Sequence, residues 1–234
     1  MVNNNVAPPV ERDFVMGAYV DENGKLIVDS KYDDTINFDD AVSNNNSNNK
    51  CMAAVKLNHK IGYIDNTGKI IVECKYDEVF AFIEGFAGVK INHKKGFINE
   101  DGKEICPIKY DSTSDFVDGF AVIGINNKYG FMNEDGKEIC EIKYDNVWFF
   151  KNGIAIVELN YKKGLINEDG KEICEIKYDD IWTFQNGFAA VELNNKQGFI
   201  NVEGKEICEI KYDNVWAFYS KEKGYDDKDE KFDG

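Results

Sequence analysis

The sequence predicts an all-β repeat protein. The favoured form is a six-bladed, β-propeller-like ring of three- to four-stranded antiparallel units, with an open β-solenoid as the alternative. Three observations lead there. One phrase recurs along the chain at a near-constant interval. Gly-containing turn pairs fall at fixed offsets inside each recurrence. No stretch long enough for a stable helix keeps a helical period, whereas short apolar runs alternate with turns throughout.

The recurrence sets the domain organisation. GFINEDGKEICPIKYD begins at Gly96, GFMNEDGKEICEIKYD at Gly130, GLINEDGKEICEIKYD at Gly164 and GFINVEGKEICEIKYD at Gly198, in equal steps. Gly62 opens an earlier copy, GYIDNTGKIIVECKYD, one such step before Gly96, and Gly17 the first, GAYVDENGKLIVDSKYD. The step from Gly17 to Gly62 is longer and contains the Asn-rich tract 39–50, read as an inserted loop. One β domain is therefore expected over 13–219. A polar tail precedes it at 1–12, and a charged tail follows at 220–234.

Each copy reads in order as follows. Gly-Phe-Ile-Asn is a strand. Asp101-Gly102 and Asp135-Gly136 are placed to supply the positive φ of a hairpin turn. Lys-Glu-Ile-Cys opens the next strand, and Lys-Tyr-Asp closes it. The segment from Tyr144 to Phe150 is a crossover or an irregular fourth strand. After Asn152-Gly153 comes the most apolar strand, which carries Ala87, Ala121, Ala155 and Ala189, with Val89, Ile123, Val157 and Val191 two places on. Apolar or small residues on both its faces predict two-sided burial, and it is placed innermost.

The composition is globular: 43% hydrophobic, 30% charged and 13% aromatic over 234 residues. With 28 Lys and Arg against 43 Asp and Glu, the net charge is −15. Such a surface repels phosphate backbones and anionic lipid, so neither nucleic acid nor a membrane is an expected partner. No apolar run reaches the roughly 20 residues of a membrane span. The start has no basic region followed by an apolar one, so a cytoplasmic location is expected.

These copies resemble the WG repeat, a short repeat found mostly in bacterial proteins. The matching pieces are Gly96-Phe-Ile-Asn99, Gly102-Lys103, Lys109-Tyr110-Asp111, Phe116, Gly119 and Phe120-Ala121. The resemblance covers about residues 14 to 219. The family's Trp, just before the Gly, is replaced here by Met16, Ile61, Lys95, Tyr129, Lys163 and Gln197. The resemblance implies a β-rich, propeller-like domain used for interactions, and it implies no catalytic residues.

The residue types that carry chemistry have structural readings here. His59 and His93 stand where other copies have Asn127, Tyr161 and Asn195, so they read as turn residues. Cys106, Cys140, Cys174 and Cys208 recur once per copy and read as small apolar fillers kept as thiols, too far apart to bridge; Cys51 and Cys74 lie off that register. Carboxylate pairs such as Glu100-Asp101 fall in solvated turns. No catalytic set, metal site or cofactor is expected. Lys-Tyr-Asp recurs in every copy, as does a Phe at 38, 82, 116, 150, 184 and 218; recurrence at every copy argues for packing. The Tyr is expected to bury its ring with the hydroxyl paired, and the Asp to shape its own turn.

Function is sought where copies differ. One aligned position holds Ile36, Phe80, Ser114, Trp148, Trp182 and Trp216, and all three Trp of the chain are there. Phe80, Trp148, Trp182 and Trp216 are the candidate binding residues. They form an aromatic row if they face out, and inter-blade filling if they face in; a buried or half-buried placement is favoured. The expected function is a non-catalytic scaffold for a protein or peptide, with carbohydrate or small-ligand binding by the row as the alternative.

Overall fold

A computed structural model describes residues 32–36, 52–65 and 67–216. Every regular element in that range is a strand. They form five consecutive antiparallel sheets. The first contains β1 (Asp34–Ile36), β2 (Met52–Leu57), β3 (Lys60–Asp65) and β4 (Ile70–Tyr76). The second contains β5 (Glu78–Val79), β6 (Phe86–Ile91) and β7 (Lys94–Asn99). The third contains β8 (Ser112–Thr113), β9 (Phe120–Ile125) and β10 (Lys128–Asn133). In both of these a fourth segment attaches only by bridges, Lys95 to Tyr110 and Tyr129 to Tyr144. The fourth sheet is β11 (Asn146–Val147), β12 (Ile154–Leu159), β13 (Lys162–Asn167) and β14 (Glu172–Tyr178). The fifth is β15 (Asp180–Ile181), β16 (Phe188–Leu193), β17 (Lys196–Asn201) and β18 (Glu206–Tyr212).

Strand order within each sheet is the order of the chain. A single residue, Asp77 or Asp179, separates the last strand of a four-stranded sheet from the first strand of the next. Connectivity is thus propeller-like, sheet after sheet. All pairings are antiparallel and lie within one sheet, so the parallel coil-to-coil pairing of a solenoid is not realised among the described residues. The segment after Tyr144 is indeed a short fourth strand, paired as Asn146 with Glu158 and Val147 with Val157.

The structural unit is out of phase with the sequence copy. Each sheet takes its first two strands from the end of one copy and its last two from the start of the next. The expectation of one copy per blade is corrected by half a repeat. Turn chemistry is the reason. The second and third strands come from different copies, yet a two-residue turn joins them, with both residues at positive φ: Asn92 (49°) and His93 (65°), Asn126 and Asn127, Asn160 and Tyr161. That is the type I′ geometry that matches strand twist. It fixes the longest regular pairing, from Ile154 opposite Asn167 to Leu159 opposite Lys162. Six copies so phased give five shared sheets. The flanking halves, with the tract 39–50, the tails, Cys51, Phe38 and Phe218, lie outside the described residues.

Two further expectations change. Of Asp101-Gly102 only the Gly has positive φ (77°). The turn is instead closed by Asn99, whose side-chain oxygen accepts the Lys103 and Asp101 amides. The apolar strand, expected innermost, is the second of four and has a partner along each edge. Ala155 and Val157 on one face are buried, whereas Ile154 and Ile156 on the other are half-buried.

The core lies between sheets. Phe116 packs edge-on against Phe97 at 4.9 Å and beside Phe86 at 4.4 Å; Phe150 does the same with Phe131 and Phe120. The repeat-opening glycine is set by close approach. Strand β14 bulges towards Gly164, where a Cβ would lie 2.7 Å from Ile176 Cγ1 and 2.9 Å from the Cys174 carbonyl oxygen. Cys106 and Cys174 are buried thiols, and burial pushes their pKa up. No helix of the described residues is long and apolar enough to cross a membrane.

Candidate functional site

Charged groups that recur along the chain are used to join neighbouring sheets. In four copies the Tyr of Lys-Tyr-Asp is buried and its hydroxyl donates to a Glu of the next copy: Tyr76 to Glu104 (3.0 Å), Tyr110 to Glu138 (2.7 Å), Tyr144 to Glu172 (3.4 Å), Tyr178 to Glu206 (3.4 Å), whereas Tyr212 is exposed. The adjacent Lys pairs with the same carboxylate, as Lys75 with Glu104 at 2.6 Å and Lys109 with Glu138 at 2.8 Å. Burial raises the tyrosines, Tyr76 to about 12, while the Lys ammonium holds Glu104 and Glu138 below the usual carboxylate range.

The Asp of the triplet does not shape its own turn, as expected from its type. Its Oδ1 accepts the ammonium of a Lys from the preceding third strand, and its Oδ2 accepts a backbone amide from the turn that follows. Asp145 joins Lys128 to the Asn160 amide (2.7 Å), and Asp179 joins Lys162 to the Asn194 amide (2.6 Å). The Lys stands at the start of a third strand and the Asn in the type I′ turn of the following sheet, so the Asp clasps two sheets. A carboxylate placed between sheets finds those partners nearer than its own turn amides. Lys contact first, then the amide, lowers Asp77, Asp111, Asp145 and Asp179. Sequence reasoning missed these glutamates and the third-strand lysines, such as Lys128 and Lys162. The signal was there, since Glu104, Glu138, Glu172 and Glu206 also recur at the repeat interval.

His59 and His93 sit in type I′ turns, with φ of 63° and 65°. Among the described residues no group of three or more His, Cys, Asp and Glu could hold a metal ion.

The variable position behaves differently. Its backbone is fixed alike in each sheet, the amide donating to the second strand: Phe80 to Gly88, Ser114 to Val122, Trp148 to Ile156 and Trp182 to Ala190, each at 3.0 Å. Its side chain stays open to solvent. Phe80 is 39% exposed, Trp148 42%, Trp182 40% and Trp216 83%. All four are exposed, so the favoured buried or half-buried placement is corrected, and Trp216 lies furthest out. Under the ring lies the residue before the repeat Gly. The Lys95 ammonium is 5.3 Å from the Phe80 ring centre, and that of Lys163 is 5.1 Å from Trp148. At Trp182 the aligned residue is Gln197. A cavity of about 630 Å³ opens there, lined by Trp182, Phe188, Phe199, Trp216, Gln197 and Asn214 among others.

Comparison with known proteins places the chain. The WG containing repeat matches at residues 18–60, 61–94, 96–129, 129–162, 164–196 and 198–224, so the chain belongs to the WG repeat family. Among curated proteins none matches significantly. Among solved structures, Hsv2p of Kluyveromyces lactis is similar at 13% identity with a TM-score of 0.35, over 67% of this chain and 58% of that one. A eukaryotic initiation factor is similar at 12% identity with a TM-score of 0.37, over 69% and 54%. The chain thus spans less than two thirds of either structure.

Proposed function

We propose that this WG-repeat chain is a non-catalytic interaction module. It presents Phe80, Trp148, Trp182 and Trp216 to a protein or peptide partner. One observation carries the reading: Tyr76, Tyr110, Tyr144 and Tyr178, Ala87, Ala121, Ala155 and Ala189, and Phe116 and Phe150 are at most a few per cent exposed, while this variable aromatic stays about two-fifths exposed or more. Exposed aromatic residues, Trp above all, are the residue types that anchor partners. Among the described residues, the recurring Tyr, Lys, Glu and Asp of the junctions have hydrogen bonds that go to neighbouring sheets.

The test is affinity capture from native extract by the full chain, followed by mass spectrometry. The same capture is run with Phe80, Trp148, Trp182 and Trp216 all changed to Ala. A partner held by the natural chain and lost by the quadruple variant supports the reading, provided the variant keeps its β-type circular dichroism. Equal capture by both, or none above background, refutes it.

A further inference from the structure

Trp182 differs from its counterparts in one respect. Lys95 lies over Phe80 and Lys163 over Trp148, so those two sheets supply their own cation to the ring face. Lys163 is also held by Asp180 at the start of the next sheet. One repeat later both members of that pair are neutral: Gln197 stands at the Lys163 position and Asn214, after β18, at the Asp180 position. Gln197 is shorter and turned aside. Its Nε2 donates to Glu192 (3.1 Å), and its Oε1 accepts the Val215 amide (3.1 Å). Room remains beside Trp182, with Phe188, Phe199 and Trp216 around it. Glu192, directly across the strand pair from Gln197, is engaged by that side chain and does not itself line the cavity.

We infer that this cavity takes a lysine or arginine side chain of a basic peptide segment, lying over Trp182. The inference rests on the interaction reading above and names the chemistry of one of its contacts. Three facts converge. The same ring position is twice satisfied by an internal ammonium, as cation–π attraction favours. Of Phe80, Trp148 and Trp182, the ring whose aligned residue is not a Lys has a cavity beside it. The chain carries a net charge of −15, which draws basic segments and repels acidic ones.

The test exploits the repeat. Gln197→Lys with Asn214→Asp copies the Lys163–Asp180 pair one repeat later and leaves net charge unchanged. Lys163→Gln with Asp180→Asn does the reverse at Trp148. Isothermal titration uses a peptide of alternating Gly and Lys, with a Gly–norleucine peptide as the apolar control. The natural chain should bind the Lys peptide at one site and the control far more weakly. The first double variant should lose affinity about fivefold or more, as filling a cation–π site implies. The second should show two sites. Both variants copy sequence already folded in this chain; Trp182→Phe, which keeps a ring of weaker cation affinity, gives an intermediate loss. Equal binding of Lys and norleucine peptides, or undiminished binding by the first double variant, overturns the inference. If the extract partner is still captured by that variant while the Lys peptide fails to bind the natural chain, the cavity reading falls and the aromatic row stands. If the quadruple Ala variant also captures it, the row falls too.

Discussion

Gly164→Ala tests the idea that the fourth strand of a sheet is pressed onto the repeat glycine. The new Cβ would stand 2.7 Å from Ile176 Cγ1, 2.9 Å from the Cys174 carbonyl oxygen and 3.0 Å from Ile176 Cα. Carbon atoms prefer about 3.5–4.0 Å. Backbone supplies two of the three contacts, so β14 itself must move away, and a rotamer change is no remedy. Overpacking of that kind costs about 1–3 kcal/mol. Losing glycine's freedom in the unfolded chain returns about 0.4–1 kcal/mol. The expected net loss is about 1–2 kcal/mol, or about 2–8 °C in melting temperature for a domain of this size. Thermal unfolding followed by circular dichroism measures it. Gly88→Ala is the internal control. Its Cβ would meet Phe80 Cδ2 at 3.1 Å, the movable end of a side chain, and other copies hold Val122, Ile156 and Ala190 there. That variant should melt at the natural temperature or slightly above. If Gly164→Ala melts within about 1 °C of Gly88→Ala, the close-approach argument is wrong.

Tyr110→Phe removes the hydroxyl that donates to Glu138 from a buried ring. A loss of about 1–2 kcal/mol is expected in urea unfolding, with no change in slope. Acid should weaken the inter-sheet clasps. Asp77, Asp111, Asp145 and Asp179 are lowered in the folded chain by their Lys and then by a backbone amide. Their contribution is therefore complete above the unfolded carboxylate range and is lost as pH falls through the folded values. Melting temperature should stay level from about pH 7 to 5 and drop below about pH 4, and Asp145→Asn should make that drop shallower. A melting temperature that rises on acidification contradicts this. Brief alkylation followed by peptide mapping should label Cys208 before the buried Cys106 and Cys174. Equal labelling would place those two thiols at the surface.

The turns and the apolar periodicity made the all-β class readable, since Asn-Gly, Asp-Gly and Ala-x-Val recur in a fixed frame. Buried Tyr144 and Phe150 were legible for the same reason. The phase of the sheets was not legible. A repeating period can be cut anywhere, and reading Tyr161 as a turn residue does not say that the turn joins two strands of one sheet until Asn160 and Tyr161 are both seen at positive φ. The Asp145 clasp was hidden because its partners, Lys128 and the Asn160 amide, lie far along the chain on either side, beyond local hydrogen-bonding rules. Trp148 and Trp182 could be picked out as the places where copies disagree. Their exposure could not, because it depends on which strand lies beneath the ring. The part played by Gln197 needed the Lys163–Trp148 geometry as its reference.

Because neighbouring copies divide each sheet between them, the single copy from Gly130 to Lys163 would hold half of one sheet and half of another, with an unpaired edge on each. The span that closes on itself runs from Asp145 to Tyr178, β11 to β14. A whole period removed or added at any point would still rejoin matching halves. Length in such a chain can change one sheet at a time while every interior junction stays intact.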